Sequence, residues 1–287
     1  MKIRLLIGGI LALVFLGGCA LEQMAPAEMV TTSQSQPLSN ETGLAAEVRF
    51  DIGTLEVAAD RSSNLYSLDL EYDKSNYKPD VQYQKAAADE GRLVVKLEGT
   101  SHFGVSPEKR TNRLRLNLTD SLPLRLNIKT GVGDARLSLS NLRLKDLELE
   151  AGVGGARIST YEPNPEICER VRLRSGVGSL DAVGLGNLNF RELDFEGGVG
   201  GANLDLTGEW KQDARLTIEI GVGGVTIRMP RDIGVRVDAE KHFLSGFHLE
   251  GFEKQESGYY SENYNKAKIR VSVRVQTGIG GFKITWI

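Results

Sequence analysis

The chain has 287 residues, with 35 Lys and Arg against 38 Asp and Glu for a formal net charge of −3, and it is 40% hydrophobic with 33 glycines and two cysteines. That apolar content is sufficient for a sizeable core, and the acidic balance argues against a nucleic-acid partner. With one cysteine assigned below to lipid, the other has no intramolecular partner, so no disulfide framework is expected.

Lys2 and Arg4 precede an apolar run from Leu5 to Leu16, which ends in Leu16-Gly17-Gly18-Cys19. This reads as a lipoprotein signal peptide over residues 1–18, too short for a membrane span. Cys19 is then expected to become the first mature residue, carrying thioether-linked lipid and an acylated amine of the palmitate type. Several acyl chains hold a protein on a bilayer where one does not. Removal of residues 1–18 leaves 33 basic against 38 acidic residues, a side-chain charge of −5. Residues 19–44, rich in Gln, Ser, Thr and Pro, read as a lipidated flexible tether reaching roughly 28 Å. Ala20 stands where an inner-membrane retention aspartate would be. The expected location is therefore the outer membrane of a Gram-negative cell, or otherwise the outer face of the cytoplasmic membrane.

Residues 45–125 are β-rich and less regular. Val48 to Val57 contains Ile52-Gly53, a degenerate version of the corner found later. Leu65 to Tyr72, Val81 to Tyr83, Leu93 to Leu97 and Leu114 to Leu118 follow as short alternating runs separated by turns. Tyr66, Tyr72, Tyr77 and Tyr83 form a secondary candidate surface in this part.

From residue 126 to 287 a Gly-Val-Gly corner recurs six times, on Val132, Val153, Val177, Val199, Val222 and Ile279. A period a little above 20 residues means stacked supersecondary units. Four and six residues before each corner the chain is apolar: Leu126/Ile128, Leu147/Leu149, Val171/Leu173, Leu193/Phe195, Leu216/Ile218 and Val273/Val275. Three and five residues after it the apolar set resumes, as in Ala135/Leu137, Leu180/Ala182 and Phe282/Ile284. Such alternation is strand patterning with one buried face, and the odd step across the corner slips the two-residue period by one. Glycine supplies the dihedrals for that bend. The fold class expected is an all-β, β-helix-like solenoid of rungs holding two or more short strands each, with the hinge valines turned to the shared interior.

One rung cannot stand alone, because five or so inward side chains at roughly 2 kcal/mol each do not offset about 1–2 kcal/mol per residue of ordering. Stacked rungs bring outward residues into rows: Glu148, Arg172, Asp194 in one, and Lys129, Glu150, Arg174, Glu196 in another. Both rows alternate in sign, which favours this register over a slipped one.

The 57-residue gap between the last two corners holds the candidate partner surface, Phe247, Phe252, Tyr259, Tyr260 and Tyr264. Aromatic side chains offer an envelope protein or a glycan large contact area at low entropy cost. The competing reading is that Phe247, Leu249 and Phe252 fill an extra rung while the tyrosines cover the end of the coil. The terminal Trp286-Ile287 leaves the last rung apolar and suggests end-to-end association; sequence alone leaves the oligomeric state open.

Val48 to Val57, Leu65 to Tyr72 and Lys78-Pro79-Asp80-Val81 together resemble the opening of toast-rack domains. Ile220-Gly221-Val222-Gly223-Gly224-Val225-Thr226-Ile227, Pro230, Gly234 to Val237 and Gly278 to Phe282 are similar to their C-terminal half, shared with LiaF-type envelope-stress regulators and adhesin-like β-helix proteins. The resemblance spans roughly residues 45–287 and implies a cell-envelope domain, sometimes involved in signalling. This chain differs from LiaF-type members in having a lipid anchor where they have several transmembrane helices.

Catalytic equipment is not evident. Gly221-Val222-Gly223-Gly224 lacks both the third glycine and the following helix of a dinucleotide site. His102, His242 and His248 are scattered, with Cys168 the one spare thiol, so no metal or cofactor is expected. Outward acids interleaved with arginines do not resemble the paired carboxylates of a glycan-active β-helix enzyme. The expected function is a non-catalytic structural or binding, adhesin-like display module of the envelope. An envelope-stress modulator is the alternative, and a glycan-active enzyme a third.

Overall fold

A computed structural model of the protein describes residues 28–86, 89–100, 111–239 and 246–287; residues 1–18, expected to be a signal peptide, and Cys19, His102 and His242 lie outside them. The strands in chain order are β1 (Met29–Pro37), β2 (Gly43–Asp60), β3 (Asn64–Asp73), β4 (Tyr77–Lys85), β5 (Glu90–Gly99), β6 (Arg113–Thr119), β7 (Pro123–Ser138) and β8 (Arg143–Ser159). They continue with β9 (Cys168–Val183), β10 (Phe190–Asp205), β11 (Ala214–Met229), β12 (Gly234–Ala239), β13 (Phe247–Leu249), β14 (Phe252–Gln255), β15 (Gly258–Ser261) and β16 (Arg270–Trp286). The fold is an all-β coil built as one long sheet, in the order β1-β3-β6-β2-β7-β8-β9-β10-β11-β16-β12-β15-β14.

Strands β2, β7, β8, β9, β10, β11 and β16 are the rungs, all parallel. Each is one continuous strand bent at its corner, where two or more short ones were expected. The early corner at Ile52-Gly53 belongs to the series, since Ile52 pairs with Val132 and Gly53 with Gly133. Both arms of each rung bury the residues that alternation assigns to the core, among them Ile128, Leu149, Leu173, Phe195 and Ile218 before the corner and Leu137, Ile158, Leu180 and Ile227 after it. The register also matches the rows drawn from sequence: Lys129 sits beside Glu150, Glu150 beside Arg174, and Arg174 beside Glu196.

The hinge valines do not point inward. Val132, Val153, Val177, Val199 and Val222 are 45–51% exposed and Ile279 is 65% exposed. The reason is the period slip itself: the chain turns a convex corner there, and the side chain at its apex faces away from the enclosed core. In-register stacking lets each apex side chain shelter its neighbours, and Ile279 is the most open because the strand pairing above its rung is broken at the corner. Two stacked columns of glycine make the corner. Gly133, Gly154, Gly178, Gly200, Gly223 and Gly280 have φ between +133° and +151°. A Cβ at Gly200 would land inside the carbonyl of Gly178 on the rung below, so this position is barred to other residues by both dihedral and space.

Both ends of the stack close in the same way. At the N-terminal end β5 pairs with the first arm of β2 and β6 with its second, forming a rung split at the corner. Strand β4 then lies antiparallel on β5, β3 on β6 and β1 on β3. At the other end β12 and β13 pair with the two arms of β16, and β15 and β14 follow antiparallel. Antiparallel outer strands stop parallel growth, and polar or charged ones such as β1 and β14 discourage further pairing.

These caps correct three sequence expectations. Part of the tether is structure: residues 29–37 form β1, and Glu41 is buried. Edge pairing uses main-chain groups, so the uncharged Thr-Thr-Ser-Gln-Ser-Gln run needed no apolar pattern to become a strand. Trp286 is not on an uncovered last rung, because β12 and β13 lie beyond β16 and Phe252 stacks on the indole at 5.3 Å. The N-terminal tyrosines are not an open surface: Tyr66 is a core residue, Tyr72, Tyr77 and Tyr83 pack against the core, and the Tyr83 hydroxyl donates to Glu41 Oε1 at 2.7 Å.

The turns from β8 to β9 and from β9 to β10 are held by buried asparagines, which composition alone does not single out. Asn164 donates to the carbonyls of Leu144 (2.8 Å) and Leu188 (3.0 Å), and its Oδ1 accepts from the N–H of Leu144 (3.1 Å). Asn187 likewise joins Thr160 O to Glu209 N. One side chain thus satisfies backbone groups of several rungs inside the coil.

Candidate functional site

Three surfaces emerge from this framework. The first is a shallow trough over the outer face of the first arms, about 1280 Å³, lined by arginines and acids that include Arg125, Asp146, Arg170, Glu192 and Arg215. These charges are mutually engaged: Arg170 Nη2 lies 3.0 Å from Glu192, Arg215 Nη1 lies 3.2 Å from the same carboxylate, and Arg125 Nε lies 3.6 Å from Asp146. Exposed pairs of this kind stabilise weakly, but in a ladder they fix register. Among the described residues no group of three or more His, Cys, Asp or Glu could hold a metal ion.

The second surface is the corner itself, a ridge of six β-branched side chains with glycine-floored grooves on either side. One groove, about 600 Å³, runs over Gly152, Gly176, Gly198 and Gly221 between the ridge and the row of Glu150, Arg174 and Glu196.

The third is the C-terminal cap, where the sequence placed the candidate aromatics. Phe247 stacks on Phe282 of β16 at 5.7 Å and meets Tyr259 at 5.2 Å. Tyr260 and Tyr264 meet edge to face at 5.0 Å. Phe247, Phe252 and Tyr259 rest against the core, so they cover the end of the coil as the competing reading of these residues proposed. They also remain half-exposed, as do Tyr260 and Tyr264. Cations lie over the tyrosine rings: Arg236 over Tyr260, Lys254 over Tyr259 and Arg270 over Tyr264, each within 6 Å of the centroid. These side chains therefore cover the end of the coil and keep part of their surface open, and Trp286 belongs to the same cluster through its stack on Phe252. Its place was concealed because β16 inserts between β11 and β12, an order that local spacing does not encode. His248 is exposed on β13.

Cys168 is fully buried at the start of β9, and burial, aided by Asp146, pushes its thiol up to about 12. A thiol so placed is inert. No helix of the described residues is long and apolar enough to cross a membrane.

Comparison with known proteins agrees with this architecture. The sequence model for the N-terminal domain of toast-rack proteins, DUF2154, matches residues 25–183 and again 164–228. No curated protein matches the chain in sequence. Among solved structures, a candidate cell adhesion protein from Clostridium sporogenes is 21% identical, with 91% of this chain and all of that one covered at a TM-score of 0.52. A candidate adhesin from Bacteroides fragilis is 12% identical over 90% of this chain and 97% of its own, at a TM-score of 0.39. The first likeness concerns the fold alone, and the second is too low to carry an argument. With a domain match over most of its length and the bent parallel coil in place, the chain belongs to the toast-rack family.

Proposed function

We propose that the protein is a non-catalytic, adhesin-like display module of the cell envelope, anchored through a lipidated Cys19. The observation that carries this reading is the order of strands in the sheet. Strand β1, the first described strand after Cys19, lies at one end of the path and the aromatic cap at the other. Twelve steps of about 4.8 Å separate the cap from β1 by roughly 60 Å. A rigid parallel stack between anchor and cap suits presentation of a surface away from a bilayer, and charges already paired across rungs suit a framework.

The test has two arms. Metabolic labelling with an alkynyl palmitate analogue should mark the wild-type chain and not Cys19→Ser. A strain lacking the protein should lose attachment to its surface or partner cell while transcription of envelope-stress genes stays unchanged; altered stress transcription with normal attachment would favour the regulatory reading. Turnover of a cell-wall glycan by the purified protein would overturn both.

A further inference from the structure

Resting on the display reading, we infer that the end of the C-terminal cap contains a binding site for a neutral or amino saccharide, with Trp286 as its wall. A cavity of about 470 Å³ lies there, lined by Arg231, Glu250, Glu262, Asn263 and Trp286 among others. The volume falls in the range of small-ligand sites, about 300–1,000 Å³. Its walls come from four segments far apart in sequence: the chain just after β11, the turn between β13 and β14, the turn after β15, and the end of β16.

Each wall is pinned by a specific bond. The Trp286 indole N–H donates to the Glu250 carbonyl at 2.7 Å while Phe252 stacks against the ring. Asn263 donates to the carbonyls of Arg231 (3.0 Å) and Ile233 (3.1 Å), and its Oδ1 accepts from the Ser261 hydroxyl at 2.7 Å. Ser261 in turn accepts from the N–H of Val235 at 2.9 Å. Asn263 and Ser261 are thereby used up in holding the site, and this is what pre-organisation requires.

What remains for a ligand is one guanidinium and two carboxylates. Along the rungs, Arg170, Arg174 and Arg215 lie against acids on the neighbouring strand, whereas among the described residues the side chains of Arg231, Glu250 and Glu262 make no hydrogen bond or ion pair. A donor and two acceptors beside a fixed indole match the chemistry of a sugar. Its hydroxyls donate to carboxylates and accept from the guanidinium, and its apolar C–H face packs on an aromatic ring. Two acids against one base disfavour an anionic sugar and favour a neutral or amine-bearing one.

The experiment is titration calorimetry with the mature chain, using cellobiose, N,N′-diacetylchitobiose, glucosamine and glucuronic acid as probes, with Trp286 fluorescence read in parallel. At least one of the first three should bind, and glucuronic acid at least about tenfold more weakly. Glu262→Gln, on an exposed turn, should weaken binding about five- to tenfold with an unchanged melting temperature; Trp286→Phe, which keeps the stack on Phe252 and loses the indole bond to Glu250, should weaken it as much in a chain that still folds, and Lys254→Ala should not weaken it. No binding by any neutral or amino sugar, tighter binding of the acid, or full affinity in Glu262→Gln and Trp286→Phe would overturn the inference. Loss of attachment on deletion of the protein, without sugar binding, would sink this site and leave the display reading standing.

Discussion

Arg174 on β9 lies beside Glu196 on β10, with Nε 3.1 Å from Oε2, and it also reaches diagonally back to Glu148 on β8, Nη1 to Oε1 at 3.0 Å. One guanidinium thus ties three successive rungs. Its direct neighbour on the other side is Glu150, which instead takes Lys129 at 2.7 Å.

Arg174→Glu replaces these attractions with a run of like charges on adjacent strands. Each exposed pair contributes under about 1 kcal/mol, so a total loss of about 1–2 kcal/mol is expected. Lys85→Glu, on the outermost strand β4 of the N-terminal cap, should cost less. Thermal melts of the two variants at low salt check the order, and the difference should shrink in high salt. Equal effects would contradict the stacking argument.

Gly200 and Gly201 offer a sharper contrast within two adjacent residues. Gly200 has φ +141° and no room for a Cβ, whereas a Cβ at Gly201 meets nothing nearer than the Gly224 carbonyl oxygen at 3.7 Å. Gly200→Ala should lose about 3 kcal/mol or fail to fold, and Gly201→Ala should lie within about 0.5 kcal/mol of wild type. Urea unfolding of both decides it.

Asn164 is 3% exposed, and removing its side chain leaves backbone groups of Leu144 and Leu188 without partners inside the coil. At about 1–3 kcal/mol for a group left unsatisfied, Asn164→Ala should cost about 3 kcal/mol. A shift in melting temperature no larger than that of an exposed substitution would show the bracket to be dispensable.

Glu166 gives the pH dependence a sign. Hydrogen bonds from Lys145 and then Arg143, at 2.8 and 2.6 Å, hold its carboxyl below the usual value against the opposing effect of partial burial. A carboxyl depressed on folding contributes stability that is present above its unfolded pKa of about 4.3 and is lost as pH falls through the folded value. Melting temperature from pH 7 to pH 3 should therefore fall less steeply below about pH 4.3 in Glu166→Gln than in wild type. Parallel curves would remove Glu166 from the acid limb.

Rung register was legible because two signals agreed: apolar residues at fixed offsets from each corner, and outward charges that alternate down the stack. Leu173 and Arg174 therefore took their places from sequence. The corner valines did not, since side-chain type suggests burial while direction at a period slip depends on the curvature of the backbone. Strand β1 was missed because an edge strand is held by main-chain pairing and shows no apolar pattern. Among the cap aromatics, Phe247 and Tyr259 were legible as a cluster, being close in sequence. Trp286 and Arg231 were not, because they are brought together only when β16 passes between β11 and β12, an order that local spacing does not encode.

That insertion has a consequence for how the protein is made. Strands β11 and β12 are separated by a short connection, yet they never pair directly; the slot between them is filled by β16, a seventeen-residue strand that leaves any synthesising or exporting machine after both of them. Until residues 270–286 arrive, β11 presents a bare edge and the cap has no floor. The coil can wind up gradually from its amino end, but this slot is sealed only when β16 inserts. A truncation just before Arg270 would leave an open, association-prone stack.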